Sequence, residues 1–321
     1  MSTKKNFAIA ALALLCSTCV LVSKSRAANP PTNADELVAL HLDSIASPTV
    51  RAGLKTRVVQ APVHYTILVG GAGVLDGRAQ IASDGKKLVF MLKLPNNEYH
   101  GEQFVFDGDK DKVAFSTAQQ ARSAFGSFVF VQDAVIREGL VGGALTTAWP
   151  LLNLEERKAK LSFDGLKKID GQELYDVRYR PHKNTDLEIH LYFDPQTYRH
   201  VETTYSYSVI QSLTGSSSAV TAAAANGEAP VTAGSPGKSG NGMSPGGSPE
   251  TAQARLNPNR YRLTEKFSEF KTVDGVTLPT HYDIQFSQEL QNGKTTLSDW
   301  DLKGVEVSNN MSLDPRNFEV K

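Results

Sequence analysis

The sequence predicts a mainly β protein with two or three helices, its antiparallel strands curling into an unclosed half-barrel. Three observations carry this. Turn dipeptides recur at Asp84-Gly85, Asp107-Gly108, Asp170-Gly171, Asp274-Gly275 and Asn292-Gly293, the strongest short-range hairpin signals. The stretches between them alternate apolar with polar, which gives each strand one buried and one wet face. Roughly ten such strands approach the limit for an open twisted sheet before it must close, pair with a second sheet or wrap around helices. With so few helical segments, the economical form is a strongly curved, incompletely closed barrel holding them in its concavity.

The chain opens with Lys4 and Lys5, an apolar run from Phe7 to Leu15 that weakens towards Val22, and Ser25-Arg26-Ala27 before Ala28. This is the pattern of a cleavable secretory signal, residues 1–27. Its apolar run falls short of the ~20 residues of a spanning helix, so no stable transmembrane segment is expected once it is removed. Neither Cys16 nor Cys19 sits in a lipidation box, and both lie in the signal. The mature chain therefore offers no disulfide, thiolate ligand or cysteine nucleophile. It keeps 30 basic and 34 acidic residues, a net charge of −4 that argues against nucleic-acid binding. Residues 28–321 read as a single β domain in the periplasm or outside the cell.

Thr32, Asn33 and Glu36 form a helix start, with Leu37, Leu40 or His41, and Ile45 as the buried stripe and Ser47-Pro48 as the stop. Strands follow. Leu187, Ile189, Leu191 and Phe193 share one face, and so do Val276, Leu278, Tyr282, Ile284 and Phe286. Leu88 to Leu94 is apolar on both faces, so something must cover its outer side as well. Residues 211–258 are Ser, Gly, Ala, Pro and Thr with almost no large apolar side chain. Such a stretch cannot bury enough surface to order itself, and reads as a disordered hairpin-loop insertion.

Between the strands lies Phe128 to Leu154 (FVFVQDAVIREGLVGGALTTAWPLLNL). At helical spacing Ile136, Leu140, Val141, Ala144, Leu145, Trp149 and Leu152 cover more than half the circumference. Gly139, Gly142, Gly143 and Thr146 take the rest. A helix apolar nearly all round belongs inside a fold. Each interior Gly costs roughly 1 kcal/mol against Ala, so three of them need a reason. One is close approach or hinge motion. The other is a broken core helix whose glycines mark its ends.

Catalytic motifs are absent. Gly237-Lys238-Ser239 lacks the leading glycine of a phosphate loop, Thr232 standing there. Asp107, Asp109 and Asp111 start like a calcium loop, but Lys112 and Ala118 occupy its glycine and glutamate positions, so a charged turn is expected. There is no His-Glu-x-x-His and no Gly-x-Ser-x-Gly. His182, His190, His200 and His281 are scattered along strands, with His190 and His281 on wet faces. No metal site, cofactor or enzyme activity is expected.

The passages DELVALHLDSIASPTVRAGLKTRVVQ, IREGLVGGALTTAWPLLNL, FDPQTYRHVETTYSYS and FSEFKTVDGVTLPTHYDIQF, with MSLDPRNF near the end, resemble the LolA/LolB-like superfamily of outer-membrane lipoprotein-sorting proteins. Ala61-Pro62 and the 211–258 insertion depart from its pattern. The resemblance implies an unclosed barrel with an apolar cavity under a helical lid, receiving lipid or lipoprotein acyl chains without catalysis. The cavity and lid residues would be Phe104, Phe106, Gly139, Leu140, Val141, Gly142, Gly143, Leu145, Trp149, Leu151 and Leu152, unless these pack together as a dry core. The alternative is a cell-envelope module for a protein partner, with no lipid ligand.

Overall fold

A computed structural model describes residues 30–114, 122–210 and 258–320. The expected signal, and the expected insertion apart from Pro258, lie outside the described residues. The chain divides into two units, Met1–Pro31 and Thr32–Lys321, and the described strands and helices all belong to the second.

Its strands are β1 (Thr56–Val69), β2 (Val74–Asp84), β3 (Lys87–Lys93), β4 (Gly101–Phe106), β5 (Asp111–Ala114), β6 (Lys160–Ile169), β7 (Gln172–Arg180), β8 (Glu188–Phe193), β9 (His200–Val209), β10 (Asn259–Val273), β11 (Val276–Glu289), β12 (Thr295–Lys303) and β13 (Glu306–Asn309). The described strands form one antiparallel sheet in the order β5-β4-β3-β2-β1-β12-β11-β10-β9-β8-β7-β6, with β13 beside β1. Edges β5 and β6 do not pair with each other, so the barrel is unclosed, as expected. Thirteen strands are described where roughly ten were expected, and two of them, β5 and β13, carry too few residues for alternation to register.

All five turn dipeptides lie at or within strand connections. At Asp170-Gly171 and Asp274-Gly275 both residues have positive φ, the geometry that matches strand twist in a two-residue hairpin. Asp107 accepts backbone hydrogens from Asp109 at 2.8 Å and Lys110 at 2.7 Å, which makes the acidic triplet a turn. Pro62 falls where β1 has left β13 and not yet joined β12, so its missing N–H interrupts no ladder on that side. The outer face of β3 is covered, as its double-sided apolarity requires: Val89 packs with Ala82, Val105 and Phe318 of the C-terminal turn Pro315–Phe318.

Helix α1 (Ala34–Ile45) starts where expected, Asn33 Oδ1 accepting the Glu36 N–H at 2.9 Å. It buries Leu37, Val38, His41 and Ile45. Ser47-Pro48 ends it and at once caps a short α2 (Pro48–Gly53).

The apolar segment takes the second of its two expected forms, a broken core helix with glycines at the breaks. It is a succession of short pieces: α3 (Ala124–Val131), α4 (Ala134–Arg137), 3₁₀ turns at Gly143–Leu145 and Pro150–Leu152, and α5 (Leu154–Arg157). Gly139, Gly142 and Gly143 stand at φ of +73°, +80° and +48°, left-handed values at which a right-handed helix stops. Pro150 then bars continuation from the preceding turn. These pieces, together a plug, fill the concavity. Phe125, Val135, Leu140, Leu145 and Trp149 join one core cluster with Leu37 of α1 and with Ile81, Phe104, Tyr205, Phe267, Ile284 and Trp300 of the sheet.

Strands β9 and β10 already pair at Val209–Asn259, beside the point where the chain leaves and re-enters the described residues. Deleting 211–257 and joining the strands through a short Gly-containing turn is therefore expected to shift the melting temperature by only a few degrees. Long surface insertions add little closure cost. A collapse of the thermal transition would show that the segment packs on the domain.

Candidate functional site

The expected cavity and lid residues come together on the concave side. Phe104, Phe106, Leu140, Val141, Leu145, Trp149 and Leu151 are 0–4% exposed and belong to the core cluster. Leu152 is half-buried and borders a cleft of about 220 Å³. The three glycines are buried as well, each with its own constraint. A Cβ on Gly139 would stand 2.2 Å from the Ala148 carbonyl oxygen, whereas on Gly142 it would meet side-chain ends at 3.1 and 3.6 Å. On Gly143 it would press on Phe267 at 3.0 Å and His200 at 3.1 Å. Gly139→Ala is thus expected to cost roughly 2–5 kcal/mol, left-handed strain plus overpacking. Gly142→Ala should cost only the strain, about 1–2 kcal/mol. Equal costs in urea denaturation would contradict this ordering.

Polar groups at core positions of the strands fasten the plug to the sheet. Glu265 of β10 is fully buried and accepts the Gly142 N–H at 2.7 Å, the Tyr205 hydroxyl at 2.6 Å and the Tyr282 hydroxyl. Burial pushes its carboxyl up, while these three donors act the other way. Arg57 of β1, 2% exposed, donates from Nη1 to the Ala144 carbonyl at 2.5 Å and from Nε to Asn309 Oδ1 at 2.8 Å. Burial lowers it to about 10, which leaves it cationic at neutral pH. Arg157 closes the far end, donating to the Arg137 and Ala148 carbonyls at 2.9 and 3.0 Å. Arg137 in turn pairs with Asp111 at 2.7 Å.

An aromatic and imidazole cluster joins the plug to α1. Trp149 Nε1 donates to His41 Nε2 at 3.2 Å, and His41 Nδ1 lies 3.1 Å from the Tyr198 carbonyl oxygen. The two contacts select neutral His41 with its proton on Nδ1. Trp149 packs tilted on His200, which is itself buried between Phe193 and Phe267. Burial holds His41 down at about 4 against an ordinary 6.5. A lowered histidine favours the folded state while neutral in both states, so its contribution is complete above pH 6.5 and lost as pH falls towards 4. The loss should be on the order of 3 kcal/mol. Buried Glu102, held up at about 7 mainly by desolvation, has the opposite sign: its contribution is full below 4.5 and fades as pH rises through 7. The difference between wild type and His41→Gln cancels Glu102 and isolates the histidine. Wild type is expected to lose about 3 kcal/mol more than the variant between pH 6.5 and 4. Parallel stability curves would contradict the assignment.

Glu102 anchors the entry to α3. It accepts the Tyr99 hydroxyl at 2.7 Å and the hydroxyl of Ser123, the residue that caps α3 by accepting the Gly126 N–H at 2.8 Å. Trp300 Nε1 completes the chain by donating to the Tyr99 oxygen at 3.2 Å.

Two further clefts among the described residues contain none of the expected residues. One of about 690 Å³ is lined by Lys158, Lys160, Arg178, Arg180 and His182 among others. The other, of about 580 Å³, includes Asp170, Arg199, Lys266 and Glu269. His190, expected on a wet face, is half-buried beside Asp176 at 2.8 Å, which raises its affinity for a proton. Asp164, Asp176 and His190 bring three ligand atoms within 4.8 Å of one another. Lys167 Nζ already bridges the two carboxylates at 3.3 and 2.5 Å, and Arg178 binds Asp164 at 2.6 Å. The chain's own cations match this cluster.

No family model and no curated protein matches the chain. Among solved structures it is similar to the LolA superfamily protein NE2245 from Nitrosomonas europaea, at 12% identity and a TM-score of 0.43, covering 90% of this chain and 99% of that one. It is also similar to a DUF1329 family protein from Desulfovibrio piger, at 12% identity and 0.41, covering 89% and 96%. A putative outer membrane lipoprotein-sorting protein domain from Vibrio parahaemolyticus follows at 10% and 0.39, covering 89% and 97%. These likenesses concern the fold and assign no activity.

Proposed function

We propose that this protein is an exported, non-enzymatic carrier that holds acyl chains of a lipid or lipoprotein against the concave face of its open sheet. One observation carries the reading. That apolar face is covered by a plug whose helical pieces are eight residues or shorter, fastened by separate polar contacts that include those of Glu265, Arg57, Trp149 and Glu102. A buried polar group left unpaired costs roughly 1–3 kcal/mol, and each methylene that an acyl chain buries contributes about 0.8 kcal/mol. An acyl chain that inserts several methylenes between plug and sheet can offset the contacts it breaks. Buried Glu102, Glu265 and His41 serve to fasten the plug, and no catalytic arrangement is assigned to them. Export through the residue 1–27 signal would place the carrier in the periplasm.

A second reading, an envelope module for a protein partner, rests on exposed aliphatic residues at one end of the sheet. Leu68, Val69 and Val74 at the β1–β2 turn are 43–59% exposed, and Ile210 after β9 is 64% exposed. Mass spectrometry of organic extracts of the purified protein separates the two. Co-purifying lipid at stoichiometric amounts supports the carrier. A clean extract, with no binding of an added fluorescent fatty acid, supports the partner surface.

A further inference from the structure

We propose that the pocket at the start of β1 is a binding site for a small apolar carboxylate, anchored by the Arg57 guanidinium. The site does not rest on the carrier reading. It lies between α1, α2, the β2–β3 turn and the plug, and encloses about 220 Å³. Leu42, Ile45, Leu54 and Leu152 supply apolar wall, while Arg51 and Arg57 supply charge. No Asp or Glu is among the lining residues.

The charge balance points to the ligand. Arg57 is 2% exposed, yet both its hydrogen-bond acceptors, Asn309 Oδ1 and the Ala144 carbonyl, are neutral. It makes no salt bridge among the described residues. A desolvated cation held by neutral groups is costly, and the usual remedy is a hydrogen-bonded anion. Arg51 adds to the positive potential. Its partner Asp43, 3.0 Å away, has a side chain 65% exposed and so faces water. A guanidinium's planar fork suits a carboxylate, and Nη2 of Arg57 has no partner among the described residues.

Size and wall chemistry choose among anions. An engineered cavity of roughly 150 Å³ admits benzene, so this pocket has room for a carboxylate bearing a chain of several carbons. The aliphatic walls reward each methylene, a gain that phosphate and sulfate cannot draw on, although Thr147 and Asn153 also line the pocket. The class indicated is therefore a short- to medium-chain monocarboxylate.

The test is an amide NMR titration of the full mature chain with octanoate, octanol and inorganic phosphate. Octanoate is expected to give saturable shifts at Gly85, Ala144 and Thr147. Octanol should bind about tenfold more weakly or worse, since it lacks the charge-assisted bond, and phosphate should leave these amides unmoved. Arg57→Met should weaken octanoate by at least about tenfold. Because Arg57 also fastens Ala144, a second variant guards against misfolding. Ala52 is exposed at the lip of the pocket, and Ala52→Trp should abolish octanoate binding with the melting temperature unchanged. The site is refuted if octanol matches octanoate, if phosphate shifts the same amides, if a folded Ala52→Trp binds as wild type, or if octanoate shifts only the deep concave face around Phe104 and Phe286.

Discussion

Glu265→Ala is expected to destabilise the protein by about 3–5 kcal/mol, among the largest effects of any single polar substitution in the chain. Removing the carboxylate strands three donors at once: the Gly142 N–H and the Tyr205 and Tyr282 hydroxyls. Both tyrosines are 0% exposed, so water cannot replace the lost acceptor without opening the core. Each buried unsatisfied group costs roughly 1–3 kcal/mol. Glu265→Gln keeps the volume and one acceptor oxygen, so its cost should be about half. Urea denaturation checks both values. Hydrogen exchange at Gly142 adds a local readout, because losing the clamp should speed that amide before the sheet opens. A cost near zero for Glu265→Ala would mean that the plug does not depend on the clamp.

Trp149→Ala is expected to cost about 3–5 kcal/mol, the range for a large aromatic deleted from a packed interior. The indole is 1% exposed, packs on His200 and donates to His41. Its loss leaves a cavity and frees His41 Nε2 from its donor. Trp149→Phe should recover part of the packing and none of the hydrogen bond, and so fall between. Both variants should raise the His41 pKa, since water or a proton can then take the vacated position. An NMR titration of the imidazole reads this directly. If Trp149→Ala left that titration unchanged, the indole and imidazole would not be coupled.

The sheet was legible in the sequence because hairpin turns and alternation are local signals. Asp170-Gly171 and Asp274-Gly275 identify their turns unaided, and the two-sided apolarity of Leu88–Leu94 foretold an outer cover that Phe318 supplies. The plug was legible as buried, and its broken form was one of the two that the glycines allowed. Helical periodicity over Phe128–Leu154 reports where apolar residues recur, but not the close approach of Ala148 to Gly139, of Ile81 to Gly142, or of His200 and Phe267 to Gly143. The clamps escape alternation for a physical reason. Arg57 shares its parity with Val59, Ala61 and Val63, Glu102 with Phe104 and Phe106, and Glu265 with Leu263 and Phe267. In each strand a charged residue stands at a core position. By alternation alone it looks like an interruption, yet a charge tolerated there must have buried partners, and those partners lie far away in sequence.

Brominated stearic acid tests the central claim most directly. The only two tryptophans, Trp149 on the plug and Trp300 on β12, are both buried in the core that fills the concavity, 1% and 2% exposed. Bromine quenches an indole only at close range. If acyl chains enter between plug and sheet, the brominated acid should quench most of the emission saturably, while an unbrominated acid competes it away. Emission that stays unchanged at saturating acid, with fold and monodispersity intact, would contradict the carrier account.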